Sequence, residues 1–438
     1  MSCFAMELEG KKAGVMSNQL MEQGGSRKKQ YFMIFVCMIM QAIPFGVAQN
    51  IQPLFIPYVV KEFNFSLAAF SLIFTFGALA SSIFSPFLGK LFGKINIKVL
   101  FIVGTALSSL GFLGFGLAKN LPTFYALSAV SQIGCVLFSG LGVPYVINHW
   151  FPKKGRGTAL GIAFSGGSIG NVFLQPMVSN MLAEKGSSFA YITFGLVSLI
   201  VSLVIVLLFI RLPKAGEVQE NSSYDDSKKE VKTSKTFEGL SAVETRKNKY
   251  FWTFGIGYAL IAVAIAACST QYASYFKLSL QLDSQLIGIL GSVFAIFCLI
   301  GNVGGGTLFD KLGSFNTMLI GCVLQALSII GMLLASTSHN FAFVFSICYG
   351  LCVFSYMSGP AFMASDVFGT KESSVKLGLI SLFFAVGFAL GSTIFGEFAQ
   401  LVGFNVAWIA MIVFLAVGYF LLLSSIRLYK KEVQKMAS

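Results

Sequence analysis

Three glutamines within one long apolar stretch are the first side chains in this sequence that could bind a solute. Gln41, Gln49 and Gln52 would lie within about 80° of one another on an α-helix, which turns about 100° per residue. Pro44 lies between them, removes one backbone hydrogen bond and loosens the helix. A stripe of amides beside a softened helix suits a binding cavity for a polar solute. Hydrogen bonding between neighbouring helices is the alternative use of the same side chains.

Charged groups are almost absent from the apolar stretches. Glu397 and, at the very edge of its stretch, Lys376 are the charged residues there, and charge inside a membrane is expensive and usually functional. Glu397 is therefore a candidate for proton coupling, with a solvated acid at the membrane surface as the alternative. The two histidines, His149 and His339, have no ligand partner in the pattern, so we expect no metal site.

The sequence offers little that an enzyme would need. The phosphate-binding loop G-x-x-x-x-G-K-[ST] does not occur, so we do not expect ATP hydrolysis by this chain. A multipass enzyme would also need clusters of histidines and acids near the membrane surface. We therefore predict no enzymatic activity, no catalytic residues and no cofactor.

The composition indicates that membrane helices position the polar residues. Hydrophobic residues make up 55% of the 438 residues and charged residues 11%, against roughly 25% charged in a soluble domain. A spanning helix needs about 20 apolar residues, and the chain alternates twelve such stretches with polar breaks. Their approximate bounds are 31–60, 66–88, 99–118, 122–149, 158–182, 189–210, 250–274, 284–307, 316–336, 340–365, 376–398 and 404–426. The prediction is an all-α membrane protein with twelve transmembrane helices.

One longer polar segment divides the twelve stretches six and six. It is rich in charges of both signs and has almost nothing to bury, which is typical of a solvated, largely disordered linker. The chain therefore divides into two six-helix bundles with a linker and two tails. The expected bounds are an N-terminal tail at 1–30, a first bundle at 31–211, the linker at 212–249, a second bundle at 250–426 and a C-terminal tail at 427–438.

The basic residues predict the orientation in the membrane. Of the 31 Lys and Arg residues, only Lys61, Lys119, Lys185 and Lys277 fall on the side opposite both termini. The positive-inside rule then places both tails and the linker in the cytoplasm, in a multi-pass protein of the cell (plasma or inner) membrane. The net charge of +13 is explained by this topology, so we expect no nucleic-acid partner.

Two junctions of similar sequence suggest an internal duplication. Residues 89–94 read GKLFGK and residues 306–313 read GTLFDKLG, at equivalent positions of the two halves. The chain resembles the major facilitator superfamily here, because residues 306–313 match its loop signature G-x-L-x-D-x-x-G and residues 89–94 match it without the acid. The resemblance implies a cytoplasmic gate in which Asp310 pairs with basic groups and a helix end. The implied gate residues are Gly89, Lys94, Gly306, Asp310 and Gly313. A plain tight turn is the alternative.

Two glycine pairs repeat at nearly the same offset. Gly166 and Gly170 lie in the fifth apolar stretch, and Gly387 and Gly391 in the eleventh. Missing side chains let helices approach closely. We expect close packing at both pairs, and in an alternating-access protein also a smooth surface on which the two halves rock past each other.

A narrower resemblance lies at the start of the fifth stretch. Residues 150–162 (WFPKKGRGTALGI) are similar to the monocarboxylate and oxalate/formate branch of the superfamily, with an aromatic-Phe pair, a basic run and A-x-G. That branch usually places basic side chains within the spans to hold a carboxylate. This sequence does not have them.

The superfamily resemblance also indicates where a cavity would lie, since its first, fourth, seventh and tenth spans line the central cavity. The candidates for that cavity, with two polar positions of the fifth span, are Gln41, Gln49, Gln52, Gln132, Ser139, Asn171, Gln175, Tyr258, Tyr272, Tyr349 and Tyr356. Ordinary packing is the alternative for each. All eleven are uncharged.

The predicted function is secondary transport of a small organic solute by alternating access, such as a monocarboxylate-like metabolite, with or without protons. Export of apolar or drug-like compounds is the alternative within transport, favoured by the Phe-rich and charge-poor interior. A membrane nutrient sensor that moves no solute is the alternative of another class. We expect the solute and the lipid bilayer as partners, and a monomer.

Overall fold

The computed structural model describes most of the chain, namely residues 27–151, 156–214, 217, 241–369 and 371–437. Apart from an isolated bridge between Phe92 and Ile95, regular structure in this part is helical. The first 26 residues of the expected N-terminal tail and most of the expected linker lie outside the described residues.

The described residues form twelve membrane helices. Nine helices in the described residues are long and apolar enough to cross a membrane, and a bent pair makes a tenth. Two of them have 53 and 51 residues, or about 75–80 Å at 1.5 Å per residue, more than twice a hydrocarbon core of about 30 Å. Each of these two long helices is broken at a glycine and crosses the membrane twice. The number of spans in the described residues is therefore twelve and not ten. This confirms the predicted all-α membrane fold with two six-helix bundles.

The helices are numbered in chain order. Their bounds are α1 (Arg27–Phe63), α2 (Leu67–Gly89), α3 (Ile97–Phe115), α4 (Leu121–Trp150), α5 and α6 (Arg156–Leu208, divided at Gly186), α7 (Lys249–Ser279), α8 and α9 (Ser284–Leu334, divided at Gly313), α10 (Phe341–Met357 and Gly359–Asp366), α11 (Ser373–Val402) and α12 (Phe404–Ala437). A short helix, Ala242–Lys247, precedes α7 within the expected linker.

Backbone conformation marks the same points in both bundles. Asn64 after α1 and Gln281 after α7 both have φ of 53°, and they are 217 positions apart. Gly186 between α5 and α6 has φ of 79°, and Gly403, again 217 positions on, has φ of 87°. Positive φ is rare for side-chain-bearing residues, so the shared spacing supports the internal duplication.

Four helices depart from α-helical geometry, and each is the first of a three-helix unit. Three of them contain π-helical segments, at Gln41–Asn50 in α1, Val136–Gly142 in α4 and Tyr275–Ser279 in α7. The fourth, α10, bends by 43° where Gly359 and Pro360 begin its second part. The expected loosening at Pro44 is thus observed as a π-helical segment, a feature frequent at functional sites.

The two glycine pairs allow helices to touch within each bundle. A Cβ added to Gly166 or Gly170 would lie 2.1 or 2.2 Å from a backbone oxygen of α1. At Gly387 or Gly391 it would lie 2.1 or 2.4 Å from a backbone oxygen of α7. The expected close approach is therefore present. The expectation of a sliding surface between the halves is wrong, because α1 and α5 share one bundle and α7 and α11 share the other.

The last helix extends beyond its apolar part. α12 continues to Ala437, although the apolar stretch ends near residue 426. The residues that follow are mainly Arg, Lys, Glu and Gln, which have good helix propensity in water. Hydropathy therefore located the end of the membrane span but not the end of the helix.

Candidate functional site

The two bundles touch each other at one end of the molecule. An even number of spans places both described termini on one face, called here the terminal face, and the opposite face is the distal face. The hydrogen bonds that join the bundles between described residues cluster near the distal face. They include Tyr58 with Ser284 (2.6 Å between hydroxyl oxygens) and Ser292 Oγ donating to the carbonyl of Val172 (2.7 Å). The structure is therefore closed at the distal face.

Gln175 on α5 is one centre of this distal closure. Its side-chain Nε2 donates to the carbonyl of Asn50 (3.0 Å) and to Oδ1 of Asn171 (3.1 Å). Its Oε1 accepts the hydroxyl of Tyr272 on α7 (3.0 Å), and the side chain is buried. Gly291 on α8 leaves room for this amide, since an added Cβ would lie 2.4 Å from Oε1. Asn171, Gln175 and Tyr272, all cavity candidates, thus meet at the closure.

Gln271 on α7 is the second centre and is absent from the predicted set. Its Nε2 donates to Ser71 Oγ on α2 (2.7 Å) and to Ser392 Oγ on α11 (2.8 Å), so it joins the two bundles. Its Oε1 is buried and has no donor among the described residues. The signal in the sequence is the polar run 269–272 (STQY) within an otherwise apolar helix.

Replacement of Gln271 by Leu should weaken the distal closure. Loss of both donated bonds leaves Ser71 Oγ without this donor and Ser392 Oγ with only the bond from Thr270. Set against removal of the buried Oε1, the net cost is about 1 kcal/mol, or about fivefold in the ratio of closed to open molecules. Hydrogen–deuterium exchange followed by mass spectrometry should show faster exchange at the distal ends of α2 and α11.

The matched control is Gln285→Leu, because Gln285 is an exposed glutamine at the same end of the molecule. Equal exchange in the two variants would contradict a gating role for Gln271.

Polar side chains join α1 to α4, three of them in the π-helical segments and Gln132 just before the segment of α4. Ser139 Oγ donates to Gln41 Oε1 (2.9 Å), and Gln49 Nε2 donates to Gln132 Oε1. Gln41 is fully buried, and its Nε2 has no acceptor among the described residues. Gln52 is also buried. The structure thus brings four of the predicted side chains together in two pairs.

Aromatic rings occupy the corresponding part of the second bundle. Phe345 and Tyr349 on α10 stack with centroids 5.4 Å apart, and Tyr356 follows Tyr349 at 6.3 Å. The Tyr349 hydroxyl donates to the carbonyl of Ile265 on α7 (2.9 Å). Tyr258 is buried and donates to the carbonyl of Ser355 on α10 (3.1 Å). A small cavity with room for about one water molecule adjoins these rings. It is lined by Ser269, Tyr272, Leu290, Phe294, Phe345 and Tyr349.

The two loops with the signature sequence, at 89–94 and 306–313, lie at the terminal face. Gly93 and Gly313 turn the chain with φ of 83° and 71°. An added Cβ at Gly89 or Gly306 would meet nothing within 4 Å, so these glycines are not close-contact positions here. Lys94 and Asp310 are exposed.

Asp366, and not Asp310, holds a helix end in this state. Its Oδ2 accepts the backbone N–H of Ser314 at the start of α9 (3.0 Å), and its Oδ1 lies 3.3 Å from Lys430 Nζ. This is the arrangement that the resemblance implies for Asp310. The gate role of Asp310 and of the four other loop residues stays a prediction.

The charged residues of the spans lie away from the amides and rings. Lys376 is buried, and its Nζ donates to the carbonyls of Phe368 and Gly369 at the end of α10. Glu397 is exposed near the distal face, beside Gly396, which packs on α2. No group of three or more His, Cys, Asp or Glu among the described residues could hold a metal ion.

Ion pairs mark the terminal face of the first bundle. Glu217 lies 2.6 Å from Arg211 and 2.9 Å from Lys29. The hydrogen bond from Arg211, with others from the Lys214 backbone and Lys29, holds the pKa of the Glu217 carboxyl well below its usual range. Glu217, in the expected linker, is thus bound both to the start of α1 and to the residues that follow α6.

Fold and site together define a class of protein. It comprises membrane proteins built from two related helix bundles whose polar side chains meet between them, an arrangement that many secondary transporters share. The chain matches the family model of the Major Facilitator Superfamily over residues 31–375 and 279–436. The chain belongs to the Major Facilitator Superfamily.

The chain is similar to proteins whose names describe different transport activities. The oxalate:formate antiporter of Oxalobacter formigenes is 24% identical over 388 residues, covering 86% of each chain. The fujikurins efflux protein of Gibberella fujikuroi is 22% identical over 354 residues, covering 79% of this chain and 71% of that one. A bacterial homologue of the human lysosomal transporter Spinster, solved in an inward-facing and unoccupied conformation, superposes with a TM-score of 0.70 at 16% identity, covering 92% of this chain and 98% of that one.

Proposed function

We propose that this chain is a secondary transporter that moves a small organic solute by alternating access, with the amides and tyrosines between the bundles as its binding site. The observation that carries the proposal is the distal closure, where hydrogen bonds between described residues join the two bundles at one end, beside close helix packing at Gly288 and Gly396. Midplane binding between repeats is the general design of such proteins.

The polar part of the closure adds only modest net stability. Each of its hydrogen bonds contributes about 0.5–1.5 kcal/mol net. A solute whose affinity differs by a few kcal/mol between the two states could therefore shift the equilibrium between them. The bundles themselves are held by backbone-close helix contacts, so we infer that they move as units.

The proposed orientation follows from the basic residues. Both tails and the linker at 212–249 would lie in the cytoplasm, and the bundles at 31–211 and 250–426 would span the cell membrane as a monomer. The distal face is then extracellular, and the structure represents a molecule closed to the outside.

Two solute classes have separate support. Residues 150–162 and the name of the Oxalobacter relative favour a monocarboxylate-like anion. The name of the Gibberella relative, an efflux protein, favours export, and the Phe-rich, charge-poor composition favours an apolar compound. Counterflow in proteoliposomes, with labelled solutes from both classes, is the test. A protein that binds solutes but moves none would contradict transport and favour a sensor.

Replacement of Glu397 by Gln should leave the pH dependence of uptake unchanged. The carboxylate is exposed near the distal face, in contact with solvent or headgroups, and lies outside the amide and aromatic cluster. Initial uptake rates between pH 5 and pH 8 would show this, with the wild type as reference. A shifted or flattened profile would restore Glu397 as the coupling residue.

A further inference from the structure

We propose that the transported solute is uncharged in the binding site and contains an aromatic or heteroaromatic ring with hydrogen-bonding groups at its edge. This inference rests on the proposed transport function and names the class of its substrate. It follows from three observations on the described residues between the bundles. No charged side chain belongs to the set of amides or rings, since Lys277 lies at the distal closure beside Tyr58 and Ser284. Amides line one side, and rings line the other.

The first bundle presents a surface of amides. The amide surface is formed by Gln41, Gln49, Asn50, Gln132, Asn171 and Gln175. Amides both donate and accept, so such a surface can match mixed groups on a solute edge. Most of these groups are paired with each other, but the buried Nε2 of Gln41 has no acceptor among the described residues. A carbonyl or ring nitrogen on the solute would satisfy it.

The second bundle presents a row of stacked rings. The aromatic row is formed by Tyr272, Phe345, Tyr349, Tyr356, Phe384 and Phe388, with successive centroids 5.4 to 6.3 Å apart. It begins at the distal closure, where Tyr272 meets Gln175 of the amide surface. Its members Tyr356, Phe384 and Phe388 are only half-buried.

Two of the three tyrosine hydroxyls of the row form hydrogen bonds inside the protein. Tyr349 donates to the Ile265 carbonyl and Tyr272 to the Gln175 side chain. The contribution of the row to binding is therefore assigned to ring faces, above all those of the half-buried Tyr356, Phe384 and Phe388. Ring faces attract other rings by offset stacking, and such pairs add stabilisation beyond that of apolar burial.

The lack of a basic residue in the amide surface and the aromatic row excludes a tightly held anion. Neither the amide surface nor the aromatic row includes a basic residue, and Lys376 is committed to backbone carbonyls at the terminal face. A carboxylate moved out of water without a cationic partner loses several kcal/mol of hydration. A cation would also lack a carboxylate partner, although ring faces attract cations, and the experiment therefore includes one.

The experiment uses the purified full chain and three classes of probe. Nicotinamide and uracil represent uncharged heteroaromatics, lactate, formate and oxalate represent anions, and tetraethylammonium represents cations. Binding is measured by thermal stabilisation in detergent, and movement by counterflow in proteoliposomes. The expected result is stabilisation and counterflow with at least one heteroaromatic probe, and neither with the anions or the cation.

A pair of variants tests the role of the rings. Phe384→Leu removes a ring of the aromatic row and should weaken binding of the active probe about three- to tenfold. Phe383→Leu is the matched control, because Phe383 packs against Trp252 and Phe251 within the second bundle, and its effect should stay below about twofold.

The outcomes separate the two proposals. Counterflow of anions or of the cation without the heteroaromatics overturns the substrate class and leaves transport standing. Binding of a heteroaromatic without counterflow of any probe overturns transport and leaves the substrate class standing. Binding of no probe, or equal effects of the two phenylalanine variants, overturns the substrate class.

Discussion

A disulfide between cysteines placed at Thr75 and Thr393 is expected to abolish transport. The two hydroxyl oxygens lie 3.3 Å apart across the contact between α2 and α11, and Thr75 also donates to the carbonyl of Ala389. A disulfide needs Cβ atoms about 3.5–4.5 Å apart, and two hydroxyls in contact bring the side chains near that range. Oxidation would lock the distal closure, since a covalent bond cannot open on the timescale of a transport cycle. Uptake into proteoliposomes should fall to background and return when a reductant is added.

A second cysteine pair controls for the disulfide itself. Ser109 and Ser198 lie in one bundle, on α3 and α6, with hydroxyl oxygens 2.8 Å apart. Cross-linking them should leave uptake largely unchanged, because bundles that move as units keep that distance. Full activity of the oxidised Thr75–Thr393 pair would show that the distal closure does not open during transport.

Replacement of Gly166 by Ala is expected to destabilise the fold severely. The new Cβ would lie 2.1 Å from the carbonyl oxygen of Met38, and the next atoms it meets are also at 2.8–2.9 Å. Backbone atoms of α1 cannot rotate away as a flexible side chain would. Overpacking of this kind costs about 3 kcal/mol. The midpoint of thermal unfolding in detergent should fall markedly, with less monodisperse protein recovered.

Gly161→Ala is the matched control in the same helix. An added Cβ there meets nothing within 4 Å, and alanine favours a helix over glycine by about 1 kcal/mol. This variant should match or exceed the stability of the wild type. Similar melting of the two variants would mean that α5 does not pack on α1 through Gly166.

The sequence predicts the membrane helices well because hydropathy depends on each stretch alone. The breaks at Gly186 and Gly313 lie between predicted stretches, and close packing at Gly166 follows from the missing side chain. These features need no knowledge of which helices are neighbours. Prediction of the packing partner does need to know which helices are neighbours. For that reason the expectation that the glycine pairs form a sliding surface between the bundles is wrong.

The site was harder to predict because hydrogen bonds depend on how helices are rotated and paired. Gln271 contacts Ser71 of the other bundle, a partner 200 positions away that no local spacing indicates. The π-helical segment at Gln41–Asn50 also changes the angle per residue, so a projection at 100° cannot give the true directions. Asp366 holds the end of α9 for a similar reason, since the two helices meet only in the fold.

The division into polar and aromatic sides was visible only in part. Gln132, Gln175 and Tyr349 are found readily as polar residues in apolar stretches. Their sequence positions also show that amides dominate the first half and tyrosines the second. Stacking of Tyr356 on Phe384 joins different helices, however, and required the tertiary structure.

Oε1 of Gln271, which has no donor among the described residues, makes the closed conformation less stable than a fully bonded amide would. A buried oxygen without a donor costs about 1–3 kcal/mol, so this conformation occupies a shallow energy well. A carrier trapped in one deep minimum would turn over slowly, whereas a small built-in penalty keeps the two conformations close in free energy. The unbonded amide oxygen of Gln271 would in this way help to set the rate of the transport cycle.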